Sequence, residues 1–274
     1  MHGSLVHPWR RYVALGDSFT EGIGDVDPNS PGGYRGWADR VAEQLSSSVN
    51  DFAYANLAIR GRLITQIFDE QAGPALELKP DLISLCAGGN DVIRPGGDPD
   101  AIADKLDSLV RVLATSGATI LLFNGPDIRD TPVLGGIRGK VAIYNENVRT
   151  IAARYDAVVA DMWSLRELHQ PQMWAADRLH FSPLGHQTIA AMALDALNVP
   201  HELEQAKPGE VKSKNWREAR REDFIWARTH LAPWVLRRIR HQSSGDGITA
   251  KRPLAVPFSD NVPGQSMGTG PSGE

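Results

Sequence analysis

Short apolar runs alternate with amphipathic helical patterns over the first 200 residues, and this alternation limits the fold more than any other feature. Apolar runs of strand length, separated by helices, are typical of a parallel sheet whose crossover connections cover both faces. After Asp98, for example, Pro99 suits a first helical turn and apolar residues recur on one face. We therefore predict a three-layer α/β/α sandwich, with a five-stranded parallel sheet formed by residues 12–15, 53–58, 82–87, 119–123 and 157–161.

The composition suits a globular protein with one main domain. The chain has 274 residues, of which 42% are hydrophobic, enough to fill a sizeable core. Cys86 is the only cysteine and lies in an apolar run, so we expect a buried thiol without an intramolecular disulfide. The sequence shows neither a secretory signal pattern nor an apolar run that could span a membrane, which predicts a cytoplasmic protein without a transmembrane segment.

Polar and glycine residues follow three of the predicted strands. Asp17 and Ser18 come after the first apolar run, Gly61 after the second and Asn90 after the third. Each of these residue types is also common in turns, so none of them is informative alone. Together they indicate a site, because the carboxyl ends of parallel strands meet at one edge of the sheet, where open α/β sheets bind ligands.

A fourth block, Asp177 to His180, lies just before a helix that Ser182 can cap. A serine hydroxyl is a weak nucleophile, so attack on an ester carbonyl needs a neighbouring base and a third group that orients the base. Ser18, His180 and Asp177 can fill these three roles. Because His180 lies three positions after Asp177, one tight loop can bring the carboxylate to Nδ1 while Nε2 faces Ser18.

These four blocks, in this order, resemble those of the SGNH hydrolases, also called the GDSL esterase family. Ser18, Gly61, Asn90 and His180 match the four residues that name the family, and the resemblance covers residues 10–199. The family's Gly-Asp-Ser-Leu motif has phenylalanine at its last position here, a conservative apolar change. The resemblance implies an SGNH hydrolase domain with the flavodoxin-like strand order 2-1-3-4-5.

The resemblance also implies roles for residues around the nucleophile. The backbone N–H groups of Ser18 and Gly61 and the side-chain amide of Asn90 would form the oxyanion hole. Asp17 would support the nucleophile loop through hydrogen bonds, and Asp91 would brace the turn that carries the asparagine. The resemblance implies no metal and no organic cofactor.

Other site assignments fit the sequence less well. An α/β-hydrolase nucleophile needs Gly-x-Ser-x-Gly, but Thr20 occupies the second glycine position. His186 is a second candidate base, yet it lies inside the predicted helix. Asp161, at the end of the last strand, is a second candidate acid and ranks below Asp177. A metal site at Asp177 and His180 is disfavoured because no further ligand cluster accompanies them.

We predict a serine esterase that acts on a small-molecule carboxylic ester with a short-chain acyl or acetyl group, which a sugar can carry. This preference for a small acyl group rests on the lack of a lipase-like apolar lid in the sequence. An acyltransferase, a thioesterase or a lysophospholipase would use the same catalytic residues. A non-catalytic binding module on the same fold is disfavoured, because the complete catalytic set would then be unexplained.

Residues 200–257 differ in composition from the preceding chain and are predicted to form a basic, helical C-terminal extension. Residues 207–252 carry a net charge of +7, while the rest of the chain carries −11. Trp216, Trp226 and Trp234 are apolar anchors by which this extension can dock on the acidic body or join a homo-oligomer. Nucleic acid is not expected as a partner, because the acidic body would repel a polyanion. The remaining segment, rich in Gly, Ser and Pro, is predicted to be a disordered tail over residues 258–274.

Overall fold

The computed structural model describes residues 7–131, 134–203, 226, 228–229 and 244–258. Its strands are β1 (Arg11–Gly16), β2 (Ala53–Asn56), β3 (Leu82–Cys86), β4 (Thr119–Phe123), β5 (Val158–Ala160) and β6 (Arg252–Pro257). Its α-helices are α1 (Ser18–Glu21), α2 (Trp37–Ser46), α3 (Ile64–Ile67), α4 (Gly73–Glu77), α5 (Gly89–Ile93), α6 (Pro99–Ala114), α7 (Arg138–Arg154) and α8 (Pro183–Ala196). A π-helical turn at Phe68–Ala72 joins α3 to α4, and short 3₁₀ turns occupy Pro31–Gly33, Gly135–Ile137, Arg166–His169 and Pro171–Met173.

The six strands form one sheet in the order β5-β4-β3-β1-β2-β6. The five strands predicted from the sequence pair in parallel, and their order from β2 to β5 is the predicted 2-1-3-4-5. This arrangement confirms the three-layer α/β/α prediction and the flavodoxin-like topology. The carboxyl ends of β1 and β3 lie side by side, since Gly16 pairs with Cys86 at the end of both strands.

Helices cover both faces of the sheet, and the strand residues alternate between the two cores. On β1, Tyr12 and Ala14 pack into the core formed with α2 and α8. Val13 and Leu15 point the opposite way and pack with α3, α4, α6 and α7. This period of two follows from the pleat of a strand, and burial on both faces explains why β1 is continuously apolar.

Two helices begin at the caps that the sequence predicts. The carboxylate of Asp98 accepts hydrogen bonds from the N–H groups of Asp100 and Ala101, and α6 starts at Pro99. The hydroxyl of Ser182 accepts from the N–H of Gly185, and α8 starts at Pro183. Such caps satisfy backbone donors that have no partner within the helix. The cap at Ser182 also anchors the end of the loop that contains His180.

The sheet has one strand more than the sequence predicts. β6 pairs antiparallel with β2 at the edge of the sheet, although it belongs to the segment predicted to be helical. Its short apolar run, Leu254 to Val256, lies between two prolines and next to basic residues. Prolines are uncommon inside strands, so this composition does not predict one. Phe258, assigned to the predicted tail, packs against Tyr54. Within the part of the chain that the structure describes, no helix is long and apolar enough to cross a bilayer.

Candidate active site

Ser18 lies at a sharp turn between β1 and α1. Gly16 adopts a φ of +151°, and a Cβ atom there would lie 2.7 Å from the carbonyl oxygen of Cys86 on the neighbouring strand. Only glycine permits this close approach of backbone at the turn. Asp17 then caps α1 by accepting a hydrogen bond from the N–H of Phe19. Ser18 is therefore presented as the first residue of a helix at the carboxyl edge of the sheet.

Ser18, His180 and Asp177 form a continuous set of hydrogen bonds. The Nε2 atom of His180 lies 3.0 Å from Oγ of Ser18, and its Nδ1 atom lies 2.6 Å from Oδ2 of Asp177. The other carboxylate oxygen of Asp177 accepts the backbone N–H groups of Leu179 and His180, each at 3.0 Å. The loop is thus folded around the Asp177 carboxylate, which holds the imidazole between the acid and the serine.

Asp177 is ionised in this arrangement. Burial alone would raise the pKa of its carboxyl group, but the hydrogen bond and charge of His180 and the N–H groups of the loop together lower that pKa to about 2. A carboxylate at this position favours a proton on Nδ1 of His180. The Nε2 atom is then left as the acceptor that faces the hydroxyl of Ser18.

Asn90 and Asp17 are in direct contact beside Ser18. The side-chain amide of Asn90 donates to Oδ2 of Asp17 at 2.8 Å and to the carbonyl oxygen of Arg62 at 3.1 Å. Burial raises the pKa of Asp17 to about 6, although the N–H of Phe19 opposes the shift. The Asn90 amide therefore already has two acceptors, Asp17 and the carbonyl of Arg62. To bind an oxyanion as predicted, it must share one of its N–H groups between the oxyanion and a present acceptor, or break one of these two hydrogen bonds.

Gly61 lies in the loop that follows β2, and this loop is tied to the Asn90 turn. Gly61 has a φ of +75° and lies beside Ser18 in the wall of the same cavity. Asp91 accepts the N–H of Ile64 at 3.0 Å, and burial raises the pKa of Asp91. Together with the bond from Asn90 to Arg62, this contact joins the two loops on either side of Ser18.

A buried ion pair, which sequence reasoning missed, connects the Gly61 loop to the nucleophile helix. Glu21, at the end of α1, is only 4% exposed. Its carboxylate accepts the backbone N–H of Arg60 at 2.7 Å and pairs with the Arg60 guanidinium. The guanidinium also lies over the ring of Tyr34. The sequence gives little indication of this ion pair, because Glu21 and Arg60 are 39 positions apart and neither belongs to a recognisable motif.

Ser18 and His180 open onto a cavity of about 360 Å³. Its walls are mainly apolar and include Val92, Ile93 and Ile128 beyond the nucleophile. The sequence analysis did not assign the connection between β4 and α7, or the start of α7, to the site, but both contribute further residues: Leu134, Ile137 and Val141. Cys86 also lines the cavity and is only partly buried, which corrects the expectation of a fully buried thiol. It is a free cysteine.

The two rival residues from the sequence analysis have other partners. Asp161 accepts from the amide of Asn124 and pairs with Arg149, 3.1 Å away. His186 is fully buried, accepts the N–H of Trp37 on Nδ1 and donates from Nε2 to the carbonyl oxygen of Ile23. Burial lowers the pKa of His186 to about 3, so the ring is neutral and structural. Among the described residues, no group of three or more His, Cys, Asp or Glu could hold a metal ion.

The neutral state of His186 predicts a pH-dependent difference in stability. The unfolded chain binds the proton at its ordinary pKa of 6.5, while the folded chain does so only near 3. His186 therefore makes unfolding easier as the pH falls below 6.5.

Glutamine can accept from Trp37 and donate to Ile23 without titrating. The quantity of interest is the unfolding free energy of His186→Gln minus that of the native protein. We expect this difference to rise by about 2 kcal/mol when the pH is lowered from 7 to 5. Urea unfolding of both proteins at the two pH values measures this difference, and an unchanged difference would contradict the assignment.

Comparisons with known proteins find a matching family profile and several solved structures with a similar fold. A sequence profile described as the GDSL-like Lipase/Acylhydrolase family matches residues 14–188, the span from β1 to α8. No curated protein matches the chain in sequence. The solved structure of TesA is 20% identical, with a TM-score of 0.57 over 68% of this chain and 97% of TesA.

Two esterases also have similar folds. The acetyl xylan esterase AlAXEase is 19% identical, with a TM-score of 0.56 over 68% of this chain and 98% of its own. Axe2, an acetylxylan esterase from Geobacillus stearothermophilus, is 21% identical, with a TM-score of 0.58 over 70% of this chain and 95% of its own. At these identities the similarity shows a shared fold. All seven residues that the sequence analysis assigned to the site lie within the matched span of the profile.

Proposed function

Because this chain belongs to the GDSL-like lipase/acylhydrolase family, a family of esterases, we propose that it hydrolyses carboxylic esters through an acyl-enzyme on Ser18. One observation carries the proposal. The hydroxyl of Ser18, His180 and Asp177 form a continuous set of hydrogen bonds at the mouth of an apolar cavity. This arrangement supplies the nucleophile, the base and the orienting carboxylate that acyl transfer requires.

The first half of the reaction transfers the acyl group to the protein. Oγ of Ser18 attacks the carbonyl carbon while Nε2 of His180 takes the hydroxyl proton, and the carbonyl oxygen becomes an oxyanion. The bond between the carbonyl carbon and the alkoxy oxygen then breaks. His180 gives the proton to the departing alcohol, and the acyl group stays on Ser18.

The second half releases the acid. A water molecule attacks the acyl carbon while His180 takes one of its protons, and the bond from that carbon to Oγ then breaks. His180 returns the proton to Ser18, which restores the starting state. The carboxylate of Asp177 stabilises the imidazolium that forms in both halves and stays ionised.

We propose that the N–H groups of Ser18 and Gly61 and the amide of Asn90 stabilise the oxyanion. The position of Ser18 supports its part, because the first N–H groups of a helix have no acceptor within that helix. Gly61 and Asn90 line the same cavity, and the bond from Asn90 to Arg62 connects their two loops. Asp17 orients the amide of Asn90, and Asp91 holds the Gly61 loop against the Asn90 turn.

The size of the cavity favours a short acyl chain over an acetyl group as the natural substrate. An acetyl group has only three non-hydrogen atoms and fills a small part of a cavity of about 360 Å³. An acetyl group would leave most of the apolar wall in contact with water. Burial of each additional CH₂ contributes about 0.8 kcal/mol, provided that the chain lies against that wall.

A series of p-nitrophenyl esters tests this proposal. We expect kcat/KM to rise about fourfold for each CH₂ from acetate to butyrate and hexanoate, and to fall once the chain outgrows the cavity. Acetylated xylo-oligosaccharides, suggested by the substrates in the names of AlAXEase and Axe2, form a parallel arm. A value of kcat/KM that is highest for acetate, or higher for the acetylated sugar than for every other ester, would contradict the short-chain assignment.

The acyltransferase alternative shares every catalytic residue with the esterase. The two activities differ in what attacks the acyl-enzyme, so addition of an alcohol or sugar acceptor to the same assay distinguishes them. A constant yield of free acid supports the hydrolase. A yield that falls as acylated acceptor accumulates supports the transferase.

A further inference from the structure

Two points of the chain beyond residue 188, where the family match ends, return to the candidate active site. One is Trp226, which contacts the loop that contains Asp177 and His180. The other is the turn at residues 244–248, which packs against the loop that contains Gly61. The proposed reaction uses neither of them. Both belong to the C-terminal extension, whose role the family resemblance does not explain.

Trp226 holds the backbone of the acid–base loop. Its indole N–H donates to the carbonyl oxygen of Asp177 at 2.9 Å, and the guanidinium of Arg178 lies over its ring, 5.1 Å from the centroid. Arg178 has a φ of +56°, a left-handed conformation that is uncommon for a residue with a side chain. Such a conformation persists where the surroundings hold it. Trp226 thus holds the peptide group that joins Asp177 to Arg178.

The 244–248 turn packs around Gly61 on both sides. A Cβ atom on Gly245 would lie only 2.2 Å from the carbonyl oxygen of Arg60, so the two backbones are in direct contact. Asp246 pairs at 3.5 Å with Arg62, whose carbonyl accepts the amide of Asn90. Ser244 lines the cavity itself. The residues before and after Gly61 are therefore both in contact with this turn.

The sheet holds the turn and the loop in fixed positions. β2 leads directly into the Gly61 loop, and β6 follows the turn after a few residues. The two strands pair antiparallel, with Asn56 opposite Arg252. Lys251, just before β6, donates to the carbonyl oxygen of Tyr34 and pairs with Asp39, a residue of α2 that is itself buried. A buried ion pair at this point anchors the returning chain, because separation of its partners would leave an uncompensated buried charge.

We propose that Trp226 and the 244–246 segment complete the active site, as positioning residues for the two loops that flank Ser18. Trp226 orients the 177–180 loop, and Gly245 sets the path of the Gly61 loop. The inference rests on the proposed function of Ser18 and His180. It implies that the segment matched by the family profile contains the reacting groups but not all of the structure that aligns them.

The test uses full-length variants and a readout that does not depend on the natural substrate. Trp226→Phe keeps an aromatic ring for Arg178 and removes the N–H that binds Asp177. Phosphonylation of Ser18 by a fluorophosphonate reports how well His180 activates the nucleophile. We expect its rate, and kcat for p-nitrophenyl butyrate, to fall about five- to tenfold with KM unchanged. Trp163→Phe is the matched control, because Trp163 also lies under an arginine, Arg138, but does not line the cavity.

Gly245→Ala tests the second contact. The added methyl group pushes against the carbonyl of Arg60, so we expect phosphonylation and kcat to fall about 10- to 100-fold. Gly73→Ala is the control, since a Cβ atom there has nothing within 4 Å. Thermal midpoints are measured for all four variants. A merely structural role would lower the midpoint and leave the rate constants unchanged at temperatures where the variant is folded.

The outcomes separate this inference from the proposed function. If the native protein is not phosphonylated at Ser18, the proposed function fails. If the native protein reacts and Trp226→Phe and Gly245→Ala react as fast as their controls, the function stands and the positioning role is overturned. A change in KM alone would also overturn it, because it would place the extension in substrate binding.

Discussion

Replacement of Ser18 by alanine should lower kcat for ester hydrolysis by about 10⁶-fold, the loss seen when the nucleophile of a serine hydrolase is removed. No acyl-enzyme can form without Oγ, and His180 then has no hydroxyl to deprotonate. The fold should persist, because Ser18 is half-buried at the edge of the sheet and belongs to neither hydrophobic core. Kinetics with p-nitrophenyl butyrate and a circular-dichroism melt measure the two expectations.

A fluorophosphonate should label the native protein once, at Ser18, and should not label the alanine variant. Ser47→Ala is a matched control, because Ser47 is exposed at the end of α2 and its hydroxyl only donates to the carbonyl of Gln44. That variant should keep full activity and full labelling. Activity retained by Ser18→Ala, or a label found on another residue, would remove Ser18 from the reaction.

Replacement of Asp177 by asparagine should lower kcat by about 10⁴-fold, with little change in volume. The carboxylate accepts the proton on Nδ1 of His180, and an amide in its place can present an N–H to the same atom. The imidazole would then carry its proton on Nε2, directed at the hydroxyl of Ser18, and could not act as a base. Because the pKa of Asp177 is lowered to about 2, the native protein keeps the carboxylate ionised above pH 4.

Asp161→Asn distinguishes the two candidate acids. Asp161 pairs with Arg149 and Asn124 rather than with His180, so its replacement should leave kcat within a few-fold of the native value. Steady-state kinetics of both variants at pH 7 to 8 make the comparison. If Asp161→Asn is the more damaging change, the two acids must exchange roles.

The local features of this protein follow closely from its sequence. The caps at Asp98 and Ser182, the apolar runs that form β1 to β5 and the tight loop from Asp177 to His180 all depend on residues close together in the chain. Capping, periodicity and short loop closure act over such distances, so their signals survive in the sequence alone. The gathering of Ser18, Gly61 and Asn90 at one cavity was also predictable, since parallel strands bring their carboxyl ends to one edge.

Only the tertiary structure decided the features that depend on distant pairing. β6 joins the sheet because β2 offers an open edge, and its proline-flanked sequence carries no strand pattern of its own. Four other features also required the tertiary structure. They are the ion pair of Glu21 with Arg60, the orientation of the Asn90 amide, the apolar cavity wall between β4 and α7, and the contact of Trp226 with Asp177. Each of them depends on contacts between residues that are far apart in the chain. Their energies depend on burial and on geometry that exists only once the sheet and its helices have packed.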